Sequence, residues 1–135
     1  MRVLVDTSVW SHALRQGTDL ADAAVRRLSS LLGKADVVLT GLILQEVLQG
    51  FRGDAIFEKA ARRLDAFPLL QLDRAHYMAA ARLRRACAAA GIAASTGDCQ
   101  IAAAAIEHRC RLLTLDRDFE AIARHVPLHL LPIGQ

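Results

Sequence analysis

Asp6 closes an apolar run, Val3-Leu4-Val5, and Asp116 closes another, Leu112 to Leu115. Asp98 follows Ser95 and Thr96, residues that start helices, and Glu46 sits in a helical stretch after a third apolar run, Val37 to Leu39. Carboxylates gathered within a few ångströms raise one another's pKa and cannot all stay ionised without a counter-charge. A divalent cation supplies that charge, and an all-oxygen donor set selects magnesium or manganese over zinc. A four-acid site can hold one ion and recruit a second with a phosphate-bearing substrate, the two roughly 4 Å apart. Each acid also has an ordinary explanation. Asp6 and Asp116 can cap the helices that follow them, Asp98 can favour a helix's positive end, and Glu46 can be a surface residue. The neighbours of Glu46 one helical turn away are Leu42 and Ile43 on one side and Gln49 and Gly50 on the other, an environment half apolar.

The elements that would position these acids follow from patterning. Val3 to Val5 is a short β-branched and leucine run that suits a buried strand. After a turn at Gln16-Gly17, Thr18 is the expected cap of a helix reaching Leu32 and ended by Gly33. Val37 to Leu39 is a second strand, and Thr40 opens a helix to about Gly50. A helix over about 55–66 is closed by Pro68. Leu69 to Leu72 is strand-like, and Asp73 caps a long helix to Ala90, stopped by Gly91. On that helix Ala80, Leu83, Cys87 and Ala90 share one face while Arg74, Arg82 and Arg85 lie opposite. A further helix runs from Ser95 or Thr96 to about Arg109, then a strand over Leu112 to Leu115, a short helix from Asp118 to His125, and a last strand over Leu128 to Ile133. Strands alternate with helices, which predicts an α/β fold with a parallel sheet covered on both faces. Sites in such sheets form at the carboxyl ends of the strands, where Asp6 and Asp116 fall.

Bulk properties bound the rest. With no repeat or linker, residues 1–135 read as one domain, large enough to bury a core. Hydrophobic residues make up 53%, which excludes a disordered chain. Apolar runs such as Ile101 to Ile106 fall far short of the roughly 20 residues of a membrane span. The opening MRVLVDTSVW lacks the apolar core of an export signal, so a cytoplasmic chain is expected. Cys87, Cys99 and Cys110 are odd in number and widely spaced, which suits buried thiols rather than disulfides or zinc. The net charge is +3 and all but two of the 17 basic residues are arginine. Arginine forks onto phosphate, but composition bias explains the count equally well. The six aromatic residues are too scattered for a base-stacking platform.

Four segments now form a pattern: Val3-Leu4-Val5-Asp6-Thr7-Ser8-Val9-Trp10, Gln45-Glu46-Val47-Leu48-Gln49-Gly50, Gly97-Asp98-Cys99-Gln100-Ile101-Ala102-Ala103, and Leu113-Thr114-Leu115-Asp116-Arg117-Asp118-Phe119. In type, order and spacing they resemble PIN-domain proteins, in particular the VapC-type toxins of bacterial toxin–antitoxin pairs. The resemblance spans nearly the whole chain. It implies a PIN-like three-layer sandwich with a mostly parallel sheet of about five strands. It also implies a metal-dependent endoribonuclease in which Asp6, Glu46, Asp98 and Asp116 hold Mg²⁺ or Mn²⁺, Asp6 and Asp98 most directly. Ser8, Thr114 and Asp118 stand in support; Asp118 can substitute for Asp116 or merely cap its helix. A homodimer and a cognate VapB-type antitoxin follow from the same resemblance, with the helices from Thr18 to Ala66 as its docking surface. The RNA target (tRNA, rRNA or mRNA) is not encoded in these motifs.

On this reading the cation activates a water against a phosphodiester and no histidine base is needed, in keeping with the lack of histidine in the four segments. His108 and His125 fall near helix ends, where dipole or packing roles are expected. A phosphatase of the haloacid dehalogenase type would need a second aspartate two residues after Asp6, where this chain has Ser8. An idle PIN-fold module that binds RNA or scaffolds a complex would be expected to lack one or more acids, and all four are present. A nuclease that processes RNA without a toxin role remains the third alternative.

Overall fold

The computed structural model describes residues 1–15 and 22–134; Gln16, Gly17 and Thr18, the expected turn and helix cap, lie outside them. The chain begins with strand β1 (Arg2–Val5) and helix α1 (Thr7–Ala13), followed by α2 (Ala23–Leu31), β2 (Asp36–Val38), α3 (Gly41–Leu48) and α4 (Asp54–Leu64). Then come α5 (Arg74–Ala89), α6 (Thr96–Glu107), β3 (Arg111–Leu113) and α7 (Asp118–Ala123). The three strands are parallel in the order β2-β1-β3, with Leu4 opposite Val38 on one side and Leu112 on the other. Single parallel bridges extend this sheet at both edges, Leu39 to Leu69 and Leu112 to Leu130. The two outer expected strands are thus present as one bridge each: Pro68 lacks the N–H that would carry pairing back along β2, and at the other edge β3 itself ends at Leu113.

Val3, Leu4 and Val5 are all fully buried. Successive strand residues point to opposite faces, so helices must cover both sides of β1. The core extends into α6, where Ala102, Ala104 and Ala105 are completely buried and let α5 pack closely. On α5, Ala80, Leu83 and Cys87 face this core as expected, joined by His76, while Ala90 caps the helix and is exposed; Arg74, Arg82 and Arg85 face outward. All three cysteines are free and buried, and burial pushes the Cys99 thiol up to about 11, which keeps it protonated and inert near neutral pH.

Helix termini follow local chemistry. Thr40, Asp73 and Ser95 accept backbone N–H bonds as N-caps, as their types predict. Asp22 does the same for α2, its carboxylate taking the Ala24 and Val25 amides. At the end of α5, Gly91 takes φ +77° while Ile92 N–H reaches the Cys87 carbonyl at 2.8 Å. The end of α6 makes the same motif with Arg109 at φ 55°, so helix α6 stops at Glu107 without a glycine to signal it.

Candidate metal centre at the carboxyl edge

In the order β2-β1-β3 the chain leaves β1 toward opposite sides, and the crevice of a parallel sheet opens at the carboxyl ends beside such a switch, here between β1 and β3. Asp6 is the first residue past β1. Its amide donates to the Leu113 carbonyl at 2.9 Å, which ties it to the end of β3. It occupies the N-cap position of α1, yet its carboxylate makes no capping bond. Instead Oδ2 accepts from Thr114 Oγ1 at 2.7 Å and from Ser8 Oγ at 2.9 Å, with only 5% of the residue exposed. Ser8 Oγ in turn accepts the Leu115 amide at 3.0 Å.

Strand β3 ends at Leu113, two residues earlier than the Leu112 to Leu115 run suggests, so Asp116 does not follow the strand directly. The intervening turn is organised by Thr114, whose Oγ1 accepts the Asp116 amide at 3.0 Å while donating to Asp6. Asp116 Oδ1 takes the Asp118 amide at 2.9 Å, a bond to the first residue of α7, whose N-cap position is held by Arg117. Asp98 lies in the first turn of α6, its amide bonded to Ser95 Oγ at 3.0 Å.

Asp98, Asp116 and Asp118 each offer a carboxylate oxygen, and the three atoms lie within 4.8 Å of one another. Burial, opposed by a hydrogen bond with Ser95, raises the Asp98 carboxyl above its usual range, and the negative charges of Asp116, Asp118 and Asp6 add to the rise. Glu46, half-buried in mid-α3, accepts from Thr7 Oγ1 at 2.9 Å, which places it beside Asp6 but outside the tight group of three. Among the described residues no basic side chain comes within 4.0 Å of these acids; the ion pair found there joins His12 to Asp22. Oxygen donors, one sign of charge and no counter-ion fit a hard divalent cation.

A model of the PIN domain family matches residues 3–125. The chain belongs to the PIN domain family. It is 37% identical over 124 residues to ribonuclease VapC11 of Mycobacterium tuberculosis, covering 90% of this chain and 92% of that protein. The fold matches VapBC2 from Rickettsia felis, crystallised with a DNA fragment from their promoter, with a TM-score of 0.80 at 17% identity over 97% of this chain and 98% of the other. It also matches VapBC-5 of M. tuberculosis, a member of the VapBC family of toxin-antitoxin systems, with a TM-score of 0.67 at 22% identity over 96% and 97%.

Of the residues expected at the site, Asp6, Ser8, Thr114, Asp116 and Asp118 form one bonded chain, Asp98 joins its acidic end, and Glu46 attaches through Thr7. Thr7 was not singled out by sequence, and Ser95 was read only as a helix start and not as part of the site. A hydroxyl directly after Asp6, and one three residues before Asp98, are the signals that point to them. His108 caps α6 and its Nε2 lies 3.1 Å from the Gln71 carbonyl, a role in the frame of the fold.

Proposed function

We propose that this PIN-domain protein is a divalent-metal-dependent endoribonuclease, the toxin of a VapBC-type pair, acting in the cytoplasm. The observation that carries the chemistry is the group of three carboxylate oxygens within 4.8 Å, beside buried Asp6 and without a basic partner. The ribonuclease named in the relative that aligns over nearly its whole length supports the activity, and the VapBC assemblies support an antitoxin partner.

In this reading Asp6, Glu46, Asp98 and Asp116 hold Mg²⁺ or Mn²⁺, with Asp118 a further oxygen donor. Bound there, the ion neutralises a phosphodiester's charge and makes an attacking water more acidic. The chain's own contribution is preorganisation. Thr114 and Ser8 both donate to Asp6 Oδ2 and so hold its carboxylate in place, with neither bond taking Oδ1. Thr114 couples Asp6 to the Asp116 turn, so strand β1 and the β3–α7 connection present their acids as one unit. Thr7 holds Glu46 against the same edge. Ser95 sets the first turn of α6 and with it Asp98. The partner is a cognate VapB-type antitoxin and the assembly is built on a homodimer of this chain.

The test is cleavage of total RNA by the purified chain, read by sequencing 5′ ends, with and without the antitoxin. EDTA is expected to stop cleavage, and Mg²⁺ or Mn²⁺ to restore it. Cleavage that continues in EDTA would overturn the metal assignment.

A further inference from the structure

The turn that carries Asp116 also walls a cleft of about 320 Å³, bounded by Leu115, Asp116, Arg117 and Glu120 on one side and by Leu130 and Ile133 on the other. The parallel bridge of Leu112 to Leu130 sets the closing segment alongside β3 and so creates this cleft. Asp116 belongs to both the cleft and the carboxylate group, so any occupant lies next to whatever the acids hold. Leu115 is 38% exposed, an apolar side chain left open on an otherwise charged edge, and Leu130 and Ile133 are half-buried opposite it. Arg117 and Glu120 are exposed at the rim, and among the described residues neither is in an ion pair.

That combination has a chemical match. Apolar walls suit the face of a flat ring, a free carboxylate accepts from an exocyclic amino group, and a guanidinium forks onto phosphate. Proteins that read RNA sequence take unstacked bases into such pockets, and this volume is at the small end for bound ligands. We propose that the cleft is a nucleotide subsite, seating the base next to the scissile phosphate, with Glu120 accepting from its exocyclic amine and Arg117 on its phosphate. It rests on the nuclease reading above. Uracil has no exocyclic amine and would offer Glu120 only its ring N3–H beside a repelling carbonyl, so the consequence is a preference for cytosine, adenine or guanine over uracil at one position beside the cut.

The test titrates the full-length, methyl-labelled protein with CMP, AMP, GMP and UMP and follows the Leu130 and Ile133 methyl signals by NMR. The amino-bearing nucleotides are expected to move these signals at least fivefold more tightly than UMP. Glu120→Gln should bring the four within twofold. Ile133→Trp, which fills the cleft, should remove the shifts of the Leu130 methyls while the core Leu4 methyl stays in place and reports an intact fold. Sequenced RNA ends should show the matching preference, relaxed in Glu120→Gln. RNA cleavage with unmoved methyls and an unchanged cut preference in Ile133→Trp overturns the subsite and leaves the nuclease standing. Shifts produced only by the antitoxin, and by no nucleotide, also overturn it by making the cleft a peptide site. Shifted methyls without cleavage of any RNA keep the nucleotide site and remove the nuclease.

Discussion

The two ends of the same sheet handle charge in opposite ways. At the amino end β2, β1 and β3 open on Asp36, Arg2 and Arg111, all exposed and of mixed sign. At the carboxyl end Asp6, Asp98, Asp116 and Asp118 share one sign, Asp6 is buried and Asp98 partly so. Exposed charges of mixed sign contribute little either way. Like charges withdrawn from water oppose folding until something positive joins them. The amino end is surface; the carboxyl end keeps a standing electrostatic strain that a cation relieves, the usual relation between a stable scaffold and a reactive site.

The sharpest way to break this contrast is to remove one carboxylate from each end. Asp98→Asn is expected to lower RNA cleavage by about a thousandfold or more, the scale set by loss of a directly placed electrostatic group. Asp36→Asn should leave it within about twofold and change stability by less than about 0.5 kcal/mol. Comparable losses in the two variants, measured as cleavage rates on one RNA, would erase the distinction between the ends.

Thr114→Val sharpens it. The substitution keeps the branched shape but leaves Asp6 with Ser8 alone and the Asp116 amide without its acceptor. Activity should fall by roughly ten- to a hundredfold and stability by about 1–3 kcal/mol, the usual penalty for an orphaned polar group. Thr114→Ser retains the hydroxyl and should restore most of both. If serine proves as damaging as valine, the hydroxyl is not what organises the edge.

Metal itself should act at one end only. A ligand bound only by the folded chain at a hundredfold its Kd adds about 2.7 kcal/mol of stability. Thermal melts in Mg²⁺ or Mn²⁺ should rise for wild type and for Asp36→Asn, and barely for Asp98→Asn. An equal rise in all three places the ion elsewhere.

The contrast also explains what could be read from sequence. The strands β1 and β2 and the helices capped by Thr40, Asp73 and Ser95 were legible because each depends on neighbours in the chain: an apolar run, or a side-chain oxygen two or three residues from its amide. The four motif acids were legible for the same reason, through local patterns that resemble a family. Helix α1 was legible only through the ordinary reading of Asp6 as a cap, a bond Asp6 does not make: the seven residues carry Val9 and Trp10 into the core while the Asp6 carboxylate turns to Ser8 and Thr114. The end of α6 was misplaced by two residues because Arg109 takes the left-handed turn that glycine usually marks. The end of β3 was misplaced because Leu115 looks like strand, whereas Thr114 turns the chain through a bond to a residue 108 positions away. The bond from Thr7 to Glu46 spans 39 residues, so the hydroxyl after Asp6 was visible in the sequence but its partner was not.

The smallest effect is the most direct measure of the strain. The folded chain holds the Asp98 proton more tightly than an ordinary carboxyl with a pKa of 3.8, so folding is favoured below that range and loses stability as pH climbs through the raised value. Asp98→Asn cannot ionise and escapes it, so the metal-free variant should melt higher than wild type at neutral pH, by a small margin given partial exposure. The gap should close on acidification toward the carboxylate range. Asp22, lowered by a hydrogen bond to His12 in the opposite direction, is present in both proteins and cancels. Calorimetry in EDTA across this range decides the matter: an inactive variant that melts below wild type at neutral pH, with the same dependence on pH, means that Asp98 bears no such strain.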